Sequence, residues 1–181
     1  MIYEIENFLS DDECDWLINL INEQVELQKE QFSVYHQIVC HPLPNIAEFL
    51  EKRLREKQSD VLYNDFIRIN KNMNLTYYTS GQSKQVHRDM IFRDEDSVSV
   101  YTLLIYLNDD YENGRTIFYP EAKSLKRDAL DKIPNIKIVP KKGKIAIFDI
   151  NLVHEGEKVK GEKWLWICKL QFTRPKKLRK S

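Results

Sequence analysis

His87 and Asp89 are the residues of this sequence whose types and spacing most clearly suggest chemistry. Residues two apart in an extended strand point to the same face, so this imidazole and this carboxylate can bind one metal ion together. A third ligand is available much later in the chain, where His154 stands at the start of another predicted strand. Two histidines and one carboxylate on one side of an ion leave coordination positions open, as in non-heme Fe(II) oxygenases. The alternative for a lone His-x-Asp triplet is an exposed polar turn.

A positively charged residue follows this candidate metal site. Lys163 stands nine residues after His154, at the start of the last predicted strand. A metal-bound cosubstrate with a second carboxylate needs a cation at its far end, and a lysine ammonium group suits that role. Tyr78 and Tyr106 offer hydroxyl groups that can add hydrogen bonds. The alternative is that Lys163 belongs to the solvated surface, as most lysines do.

The composition fits one globular domain. The chain has 181 residues, of which 42% are hydrophobic, and this is enough to bury a core. Its 28 basic and 28 acidic residues balance, so no overall field attracts nucleic acid or an anionic membrane. No apolar run can span a bilayer, the first residues lack a signal-peptide pattern, and the three widely spaced cysteines fit reduced thiols. We therefore expect a cytoplasmic protein without membrane or nucleic-acid partners, whose oligomeric state the sequence does not indicate.

Residues 1–60 are predicted to be mainly helical and to support the rest of the chain. Ser10 and Glu13 form the signature of a capping box, and apolar residues at helical spacing follow, which predicts a helix over residues 11–29. A second amphipathic helix is predicted after Pro44. His36 and His41 also lie in this section, and we expect them to be surface or packing residues.

From residue 61 to residue 173 the pattern changes to short β-strands. The clearest strand covers residues 98–107, and its alternation places Thr102 and Tyr106 on an otherwise apolar face. Two hydroxyl groups there indicate the wall of a pocket, whereas the alternative is a core tyrosine with its hydroxyl at the rim. Helices followed by many short strands predict an α+β chain with a β-sandwich or barrel of the jelly-roll type, ending in a basic tail over residues 174–181.

Two charged segments with little strand pattern flank the strands that carry these residues. They cover residues 90–97 and 120–135. Long connections in compact domains often act as lids or recognition loops, so we expect both segments to shape substrate access.

Several motifs together resemble one known family, the Fe(II)/2-oxoglutarate dioxygenases of the prolyl 4-hydroxylase type. The motifs are specific in combination and cover nearly the whole chain: Phe8-Leu9-Ser10-Asp11-Asp12-Glu13-Cys14, Tyr78-x-x-Gly81-Gln82, His87-x-Asp89, Leu104-Ile105-Tyr106-Leu107-Asn108-Asp109-Asp110, Gly114-x-Thr116, and Phe148-Asp149…His154-Glu155-Gly156…Val159…Gly161…Lys163. The resemblance implies a single dioxygenase domain over residues 1–181. It also implies a double-stranded β-helix, or jelly roll, with the N-terminal helices packed outside.

The resemblance further implies a reaction. His87, Asp89 and His154 would bind Fe(II) as the catalytic residues, and O2 and 2-oxoglutarate would hydroxylate a substrate carbon, with ascorbate as a candidate additional cofactor. The family name favours a prolyl residue in a peptide or protein as substrate. A free amino acid, another small molecule and a catalytically inactive jelly-roll binding protein remain the alternatives. A cupin-like isomerase or sugar-binding domain would show a His-x-His pair with glutamate, and that pattern is absent from the sequence.

The same resemblance assigns the cosubstrate residues. Lys163 would pair with the 5-carboxylate of 2-oxoglutarate, helped by the Tyr106 hydroxyl, and Tyr78 and Thr102 would line the same pocket. Three features depart from the family pattern: a spacing from His154 to Lys163 that is one residue shorter than usual, Asn113-Gly114-Arg115-Thr116 in place of Gly-Gly-Glu-Thr, and Lys169 near a position where many prolyl hydroxylases have tryptophan. The iron and cosubstrate residues are retained despite these departures. The identity of the substrate does not follow from the resemblance.

Overall fold

The computed structural model describes residues 1–26, 36–39, 42–57 and 65–174. Its helices are α1 (Asp11–Glu26), α2 (Pro44–Lys57) and α3 (Arg127–Leu130). Its strands are β1 (Ile2–Ile5), β2 (His36–Val39), β3 (Phe66–Ile69), β4 (Asn74–Tyr78), β5 (Lys84–His87), β6 (Ser97–Tyr106), β7 (Glu112–Asn113), β8 (Thr116–Tyr119), β9 (Ile136–Ile138), β10 (Ile145–Asp149), β11 (Val153–Gly156), β12 (Val159–Lys160) and β13 (Lys163–Thr173). Residues 27–29 of the first predicted helix, His41 and the tail from residue 175 lie outside the described residues.

Two antiparallel sheets make up most of the fold. The larger sheet has the order β1-β10-β6-β13-β4-β2, with β3 also paired to β13. The smaller sheet has the order β5-β11-β8-β9, and β12 pairs with β7 in a separate ribbon. From β4 to β6 and from β8 to β11 the chain passes back and forth between the two larger sheets. This alternation is the jelly-roll arrangement that the sequence predicts.

The front of the chain contributes two strands that the sequence pattern did not reveal. β1 pairs with β10 and β2 pairs with β4, so each extends one end of the larger sheet. Both strands are four residues long, and their partners are distant in sequence. Residues 1–60 therefore supply sheet as well as helix.

The alternation of β13 separates two packed regions. Trp164, Trp166, Cys168 and Leu170 belong to a core cluster that also contains helix residues such as Leu17, Ile21, Leu50 and Leu54. Leu165, on the opposite face, belongs to a second cluster with Tyr106 and Phe148 of the larger sheet and Phe118 of the smaller sheet. Successive strand residues point to opposite faces, so one face of β13 belongs to the first cluster and the other looks into the space between the sheets.

Local interactions explain where α1 begins and how it is held. The amide of Ser10 donates to Glu13 at 2.8 Å and the amide of Glu13 donates to Ser10 Oγ at 3.2 Å, so the predicted capping box is formed. The carbonyl of Gly143 accepts hydrogen bonds from the amides of Phe8 and Leu9 at 2.8 and 3.0 Å. Gly143 has a φ of +77°, and a Cβ there would lie 2.2 Å from the Leu9 carbonyl oxygen, so this turn requires glycine.

None of the helices among the described residues is both long enough and apolar enough to cross a membrane.

Candidate metal centre and pocket

The structure brings His87, Asp89 and His154 together between the two sheets. One ligand atom from each of the three side chains lies within 4.8 Å of the others. His87, at the end of β5, is the direct partner of His154 on β11, and their ring centroids are 4.3 Å apart. Asp89 lies two residues beyond the end of β5, where its amide donates to the carbonyl of Ile150 at 3.2 Å. A β-sheet register therefore positions both histidines, and a backbone contact beyond the strand positions the carboxylate.

Backbone carbonyl groups fix both imidazole rings. Nδ1 of His87 lies 2.8 Å from the carbonyl oxygen of Gln85, and Nδ1 of His154 lies 2.8 Å from that of Leu152. A carbonyl oxygen can only accept, so each Nδ1 carries the proton and each Nε2 keeps its lone pair for a metal ion. The donor set is thus two imidazole nitrogens and one carboxylate oxygen, which fits Fe(II) with coordination positions left open.

The two oxygens of Asp89 have different partners. Oδ1 lies 3.5 Å from Nε2 of His87. Oδ2 is 2.7 Å from the ammonium group of Lys169 and accepts a 2.5 Å hydrogen bond from the Thr102 hydroxyl. Burial alone would raise the pKa of Asp89, but the contact with the His87 imidazole and the charge of Lys169 hold that pKa well below its usual range. Asp89 is therefore a carboxylate at neutral pH, with Oδ1 on the side of the histidines.

Burial keeps His154 neutral. Loss of solvation lowers the pKa of His154 to about 4, although the nearby charge of Asp89 opposes the shift. The rings of Phe118 and Phe148 lie 5.7 and 4.8 Å from the His154 ring, measured between centroids. A neutral imidazole in an apolar surrounding is the form that binds a metal ion without first losing a proton.

A pocket with a volume of about 310 Å³ extends from the three candidate ligands to Lys163. Lys163 is 2% exposed, and its ammonium group donates to the carbonyl of Gly114. The same ammonium group lies 5.9, 5.6 and 5.9 Å from the ring centroids of Tyr78, Tyr106 and Tyr111. Burial lowers the pKa of Lys163 to about 7, while the charge of Glu157 acts in the opposite direction.

The other cosubstrate residues predicted from sequence occupy different places around this pocket. Tyr78 and Thr102 line it. Tyr106 is fully buried, and its hydroxyl lies 2.7 Å from Oγ1 of Thr116, which lines the pocket itself. Thr102 lies at the metal end, against Asp89, rather than beside Lys163.

Three pocket residues escaped the sequence analysis. Thr116 was noted only as part of a motif, and Glu155 only as a neighbour of His154. Lys169 was noted only as a departure from the family pattern, and its pairing with Asp89 joins two distant parts of the chain. The strand alternation could have suggested that Lys169 points inward, because Leu165 and Ile167 share its face.

The connection over residues 120–135 is tied to the strand that carries His154. The guanidinium group of Arg127 in α3 donates through both terminal nitrogens to the carboxylate of Glu155, once at 2.9 Å. The Tyr119 hydroxyl donates to the same carboxylate at 2.5 Å. Glu155 lines the pocket, so this ion pair joins the predicted access loop to the pocket wall.

Comparison with known proteins identifies relatives of this arrangement. A family model described as the 2OG-Fe(II) oxygenase superfamily matches residues 73–168. A curated relative, probable prolyl 4-hydroxylase 7 of Arabidopsis thaliana, is 26% identical over 207 residues, which covers 96% of this chain and 64% of the relative. The chain therefore spans less than two thirds of that relative's length.

Solved structures share the architecture. The viral collagen prolyl hydroxylase of Paramecium Bursaria Chlorella virus-1, solved as a 2OG complex, is 25% identical with a TM-score of 0.63, and the match covers 94% of this chain and 96% of the viral chain. A Pseudomonas putida prolyl-4-hydroxylase is 15% identical with a TM-score of 0.66, and the match covers 96% of this chain and 93% of the bacterial chain. At that lower identity the second similarity supports the fold alone.

Proposed function

Since this chain belongs to the 2OG-Fe(II) oxygenase superfamily, we propose that it is an Fe(II)- and 2-oxoglutarate-dependent dioxygenase that hydroxylates a carbon atom of its substrate. The observation that carries the proposal is one pocket with a two-histidine, one-carboxylate cluster at one end and a buried lysine at the other. A metal ion would occupy the first end, and a dicarboxylate bound to that ion would reach the second end with its distal carboxylate. The His87, Asp89 and His154 side chains would bind the iron, and Lys163 would bind the distal carboxylate of 2-oxoglutarate.

Each end of the pocket is suited to its proposed ligand. His87 and His154 are held by carbonyl groups with Nε2 free for a metal ion, and Asp89 is ionised. Lys163 is almost completely buried, and an ammonium group in that position is strongly stabilised by a carboxylate. Thr116 offers a hydroxyl on the pocket wall near the same end.

The cosubstrates of the proposed reaction account for every atom that is transferred. Iron with 2-oxoglutarate and O2 supplies one oxygen atom to a substrate C–H bond and the other to succinate, with release of carbon dioxide. The protein residues bind and orient these reactants and keep bulk water out, and the apolar side chains of Leu104, Phe148 and Leu165 line the pocket between its two ends.

The proposed substrate is a prolyl residue in a peptide or protein. This choice is supported by the names of the Arabidopsis and viral relatives, both of which are prolyl hydroxylases. A free amino acid is the second candidate, because charged side chains line the metal end of the pocket. We further propose that α1 and α2 support the larger sheet from outside and that the protein acts as one domain in the cytoplasm.

Iron-dependent turnover of 2-oxoglutarate tests this proposal. Purified protein with Fe(II), 2-oxoglutarate and O2 should form succinate, and a panel of proline-containing peptides and free amino acids should include one that gains the mass of one oxygen atom. Asp89→Ala is the negative control, because it removes the carboxylate ligand. Folded protein that binds iron but forms no succinate with any member of the panel would contradict the proposed activity.

A further inference from the structure

The turn over residues 113–116 has an arginine, Arg115, at the position where the family motif has glutamate. The Arg115 guanidinium group forms two hydrogen bonds with the Glu157 carboxylate, from Nε at 2.8 Å and from a terminal nitrogen at 2.6 Å. The backbones of the two residues are joined as well, because the Glu157 amide donates to the Arg115 carbonyl at 2.9 Å. A two-point contact of this kind fixes the direction of a carboxylate as well as its distance.

The neighbours of Arg115 on both sides belong to the end of the pocket that is proposed to bind the distal carboxylate of 2-oxoglutarate. The Gly114 carbonyl accepts a hydrogen bond from the Lys163 ammonium group, and Thr116 lines the pocket wall. Gly114 has a φ of +69°, and a Cβ atom there would lie 2.8 Å from the Tyr111 ring, so the turn requires glycine. Arg115 therefore stands between two residues of the proposed cosubstrate site, while its own side chain binds Glu157.

Glu157 is a carboxylate whose charge acts on Lys163. This negative charge partly offsets the effect of burial on the pKa of Lys163, so the two side chains are near enough to interact. A negative charge beside Lys163 has two consequences for a ligand with a distal carboxylate. It competes with the ligand for the ammonium group, and it repels the carboxylate that would bind there.

The contact with Arg115 limits both effects. The guanidinium group neutralises Glu157 and holds its carboxylate against the turn over residues 113–116. The pair is partly exposed, with side-chain exposures of 37% and 24%, so solvent weakens the field of Glu157 and Arg115 supplies the remaining compensation. A glutamate at position 115, as in the family motif, would add a second negative charge instead.

We propose that Arg115 is a positioning residue for the cosubstrate, which binds Glu157 and so keeps this carboxylate from competing with 2-oxoglutarate for Lys163. The proposal rests on the proposed dioxygenase function and adds a residue to its cosubstrate site. Arg115 acts through Glu157 rather than by contact with the ligand. Removal of Arg115 and removal of the Glu157 charge should therefore change the affinity for 2-oxoglutarate in opposite directions.

Ligand binding to the assembled but inactive protein tests this role. The protein is loaded with Zn(II), which has no redox chemistry, and calorimetry at pH 6.5 measures the affinities for 2-oxoglutarate and 2-oxobutanoate. Both ligands present the same 2-oxo acid group to the metal, but 2-oxobutanoate lacks the distal carboxylate. The ratio of the two affinities therefore isolates the interaction at Lys163, which is mostly protonated at this pH because its pKa is about 7.

Arg115→Met keeps an unbranched side chain at this position and removes its charge. This variant should bind 2-oxoglutarate about fivefold more weakly and 2-oxobutanoate as well as the wild-type protein, because only a distal carboxylate meets the uncompensated charge of Glu157. Arg115→Lys should keep part of the affinity, since the charge is retained and the two-point contact is lost.

Glu157→Gln makes the opposite change in a side chain of the same shape, and it should bind 2-oxoglutarate at least as tightly as the wild-type protein. The double variant Arg115→Met with Glu157→Gln should return to within about twofold of the wild-type affinity, because the loss in Arg115→Met depends on the Glu157 charge. Lys160→Met is the matched control. It removes the 2.8 Å partner of Glu112, an exposed carboxylate, and should leave both affinities unchanged.

The outcomes separate this role from a structural one and from the proposed function. Equal losses of 2-oxoglutarate affinity in Arg115→Met and Glu157→Gln would show that the ion pair only supports the fold, and unchanged affinity in Arg115→Met would also overturn the proposal. If Arg115→Met does not fold, weaker binding by Glu157→Gln overturns it. An equal loss in Lys160→Met would show a general effect of surface charge. Wild-type protein that binds 2-oxoglutarate no more tightly than 2-oxobutanoate would instead contradict the cosubstrate site itself and the proposed dioxygenase function.

Discussion

His87 and His154 lie directly opposite each other on antiparallel strands, with ring centroids 4.3 Å apart. The two strands belong to the smaller sheet, and each ring is oriented by the carbonyl of the residue two positions earlier in the chain. The sheet register therefore sets the distance between the two imidazole ligands before any metal binds. Such preorganisation lowers the cost of assembling a metal site.

The pairing of Asp89 with Lys169 predicts strong coupling between these residues. Asp89→Ala should abolish metal binding and lower the free energy of unfolding by about 3–5 kcal/mol, because it leaves a buried lysine unpaired. The double variant Asp89→Ala with Lys169→Met should recover much of the stability but no metal binding. Urea unfolding and metal titration of the two single variants and the double variant measure this.

Additive losses of stability in that double-mutant cycle would show that the two side chains do not interact. Retention of metal binding by Asp89→Ala would show that Asp89 is not a ligand.

Burial of Lys163 predicts a pH-dependent stability of the metal-free and cosubstrate-free protein. The pKa of Lys163 is about 7 in the folded protein against 10.5 for the ordinary side chain, so between these values the unfolded chain binds the extra proton. The contribution of Lys163 to stability therefore becomes more favourable as pH rises from 7 towards 10.5. We expect a gain on the order of 2 kcal/mol between pH 7 and pH 9.

Lys163→Met is the matched variant for that measurement. It should be more stable than the wild-type protein at pH 7 and should lack this contribution to the pH dependence, since methionine does not titrate. Urea unfolding at both pH values provides the comparison. Equal pH dependence in the two proteins would mean that Lys163 keeps an ordinary pKa in the folded state.

The same residue predicts proton uptake when 2-oxoglutarate binds. At pH 8 the Lys163 amine is mostly neutral in the cosubstrate-free protein, whereas a carboxylate partner favours the charged form. Calorimetry of 2-oxoglutarate binding in two buffers of different ionisation enthalpy should show uptake of close to one proton, and Lys163→Arg should show none.

Lys163→Ala should weaken 2-oxoglutarate binding greatly while metal binding persists. Unchanged affinity in that variant would place the anchor elsewhere.

The features that sequence predicted are those with a local cause. The capping box of Ser10 and Glu13 fixes the start of α1 through contacts three residues apart. The alternation of a strand puts Lys163 and Lys169 on one face, and Lys163 begins the strand that they share, as predicted. The His-x-Asp spacing likewise pointed to one site, although Asp89 lies beyond the end of its strand rather than within it.

The features that sequence did not predict depend on contacts between distant segments. β1 and β2 are short and gain their stability from β10 and β4, which local patterns do not reveal. The ion pair of Asp89 and Lys169 depends on how the end of β5 meets β13 across the pocket, and no spacing within either segment encodes that approach. His154 was proposed as the third ligand from its residue type and then from the family resemblance, because its pairing with His87 is a property of the closed fold that no local spacing reveals.

Arg53 offers a test of the proposed supporting role of the helices. Its guanidinium group bonds the Glu13 carboxylate at 2.5 and 3.1 Å and the Phe8 carbonyl at 3.0 Å, which joins α2 to the start of α1. Arg53→Ala should lower the free energy of unfolding by about 1–3 kcal/mol while leaving metal and 2-oxoglutarate affinities unchanged. Lys52→Ala, on an exposed position of the same helix, is the control. Loss of either affinity in folded Arg53→Ala would show that the helices influence the pocket directly.

The ion pair of Arg127 and Glu155 predicts a separation of two activities. Arg127→Ala should release the loop over residues 120–135 from the pocket wall, because Arg127 supplies two hydrogen bonds to that carboxylate. Substrate hydroxylation should then fall several-fold more than the uncoupled conversion of 2-oxoglutarate, since the loop does not contribute to the candidate metal or Lys163 sites. Both rates can be measured together, as hydroxylated product and as succinate.

Lys158→Ala, which changes an exposed lysine between β11 and β12, is the control and should leave both rates unchanged. An equal loss of both rates in Arg127→Ala would mean that the ion pair stabilises the metal site through His154 rather than controlling substrate access.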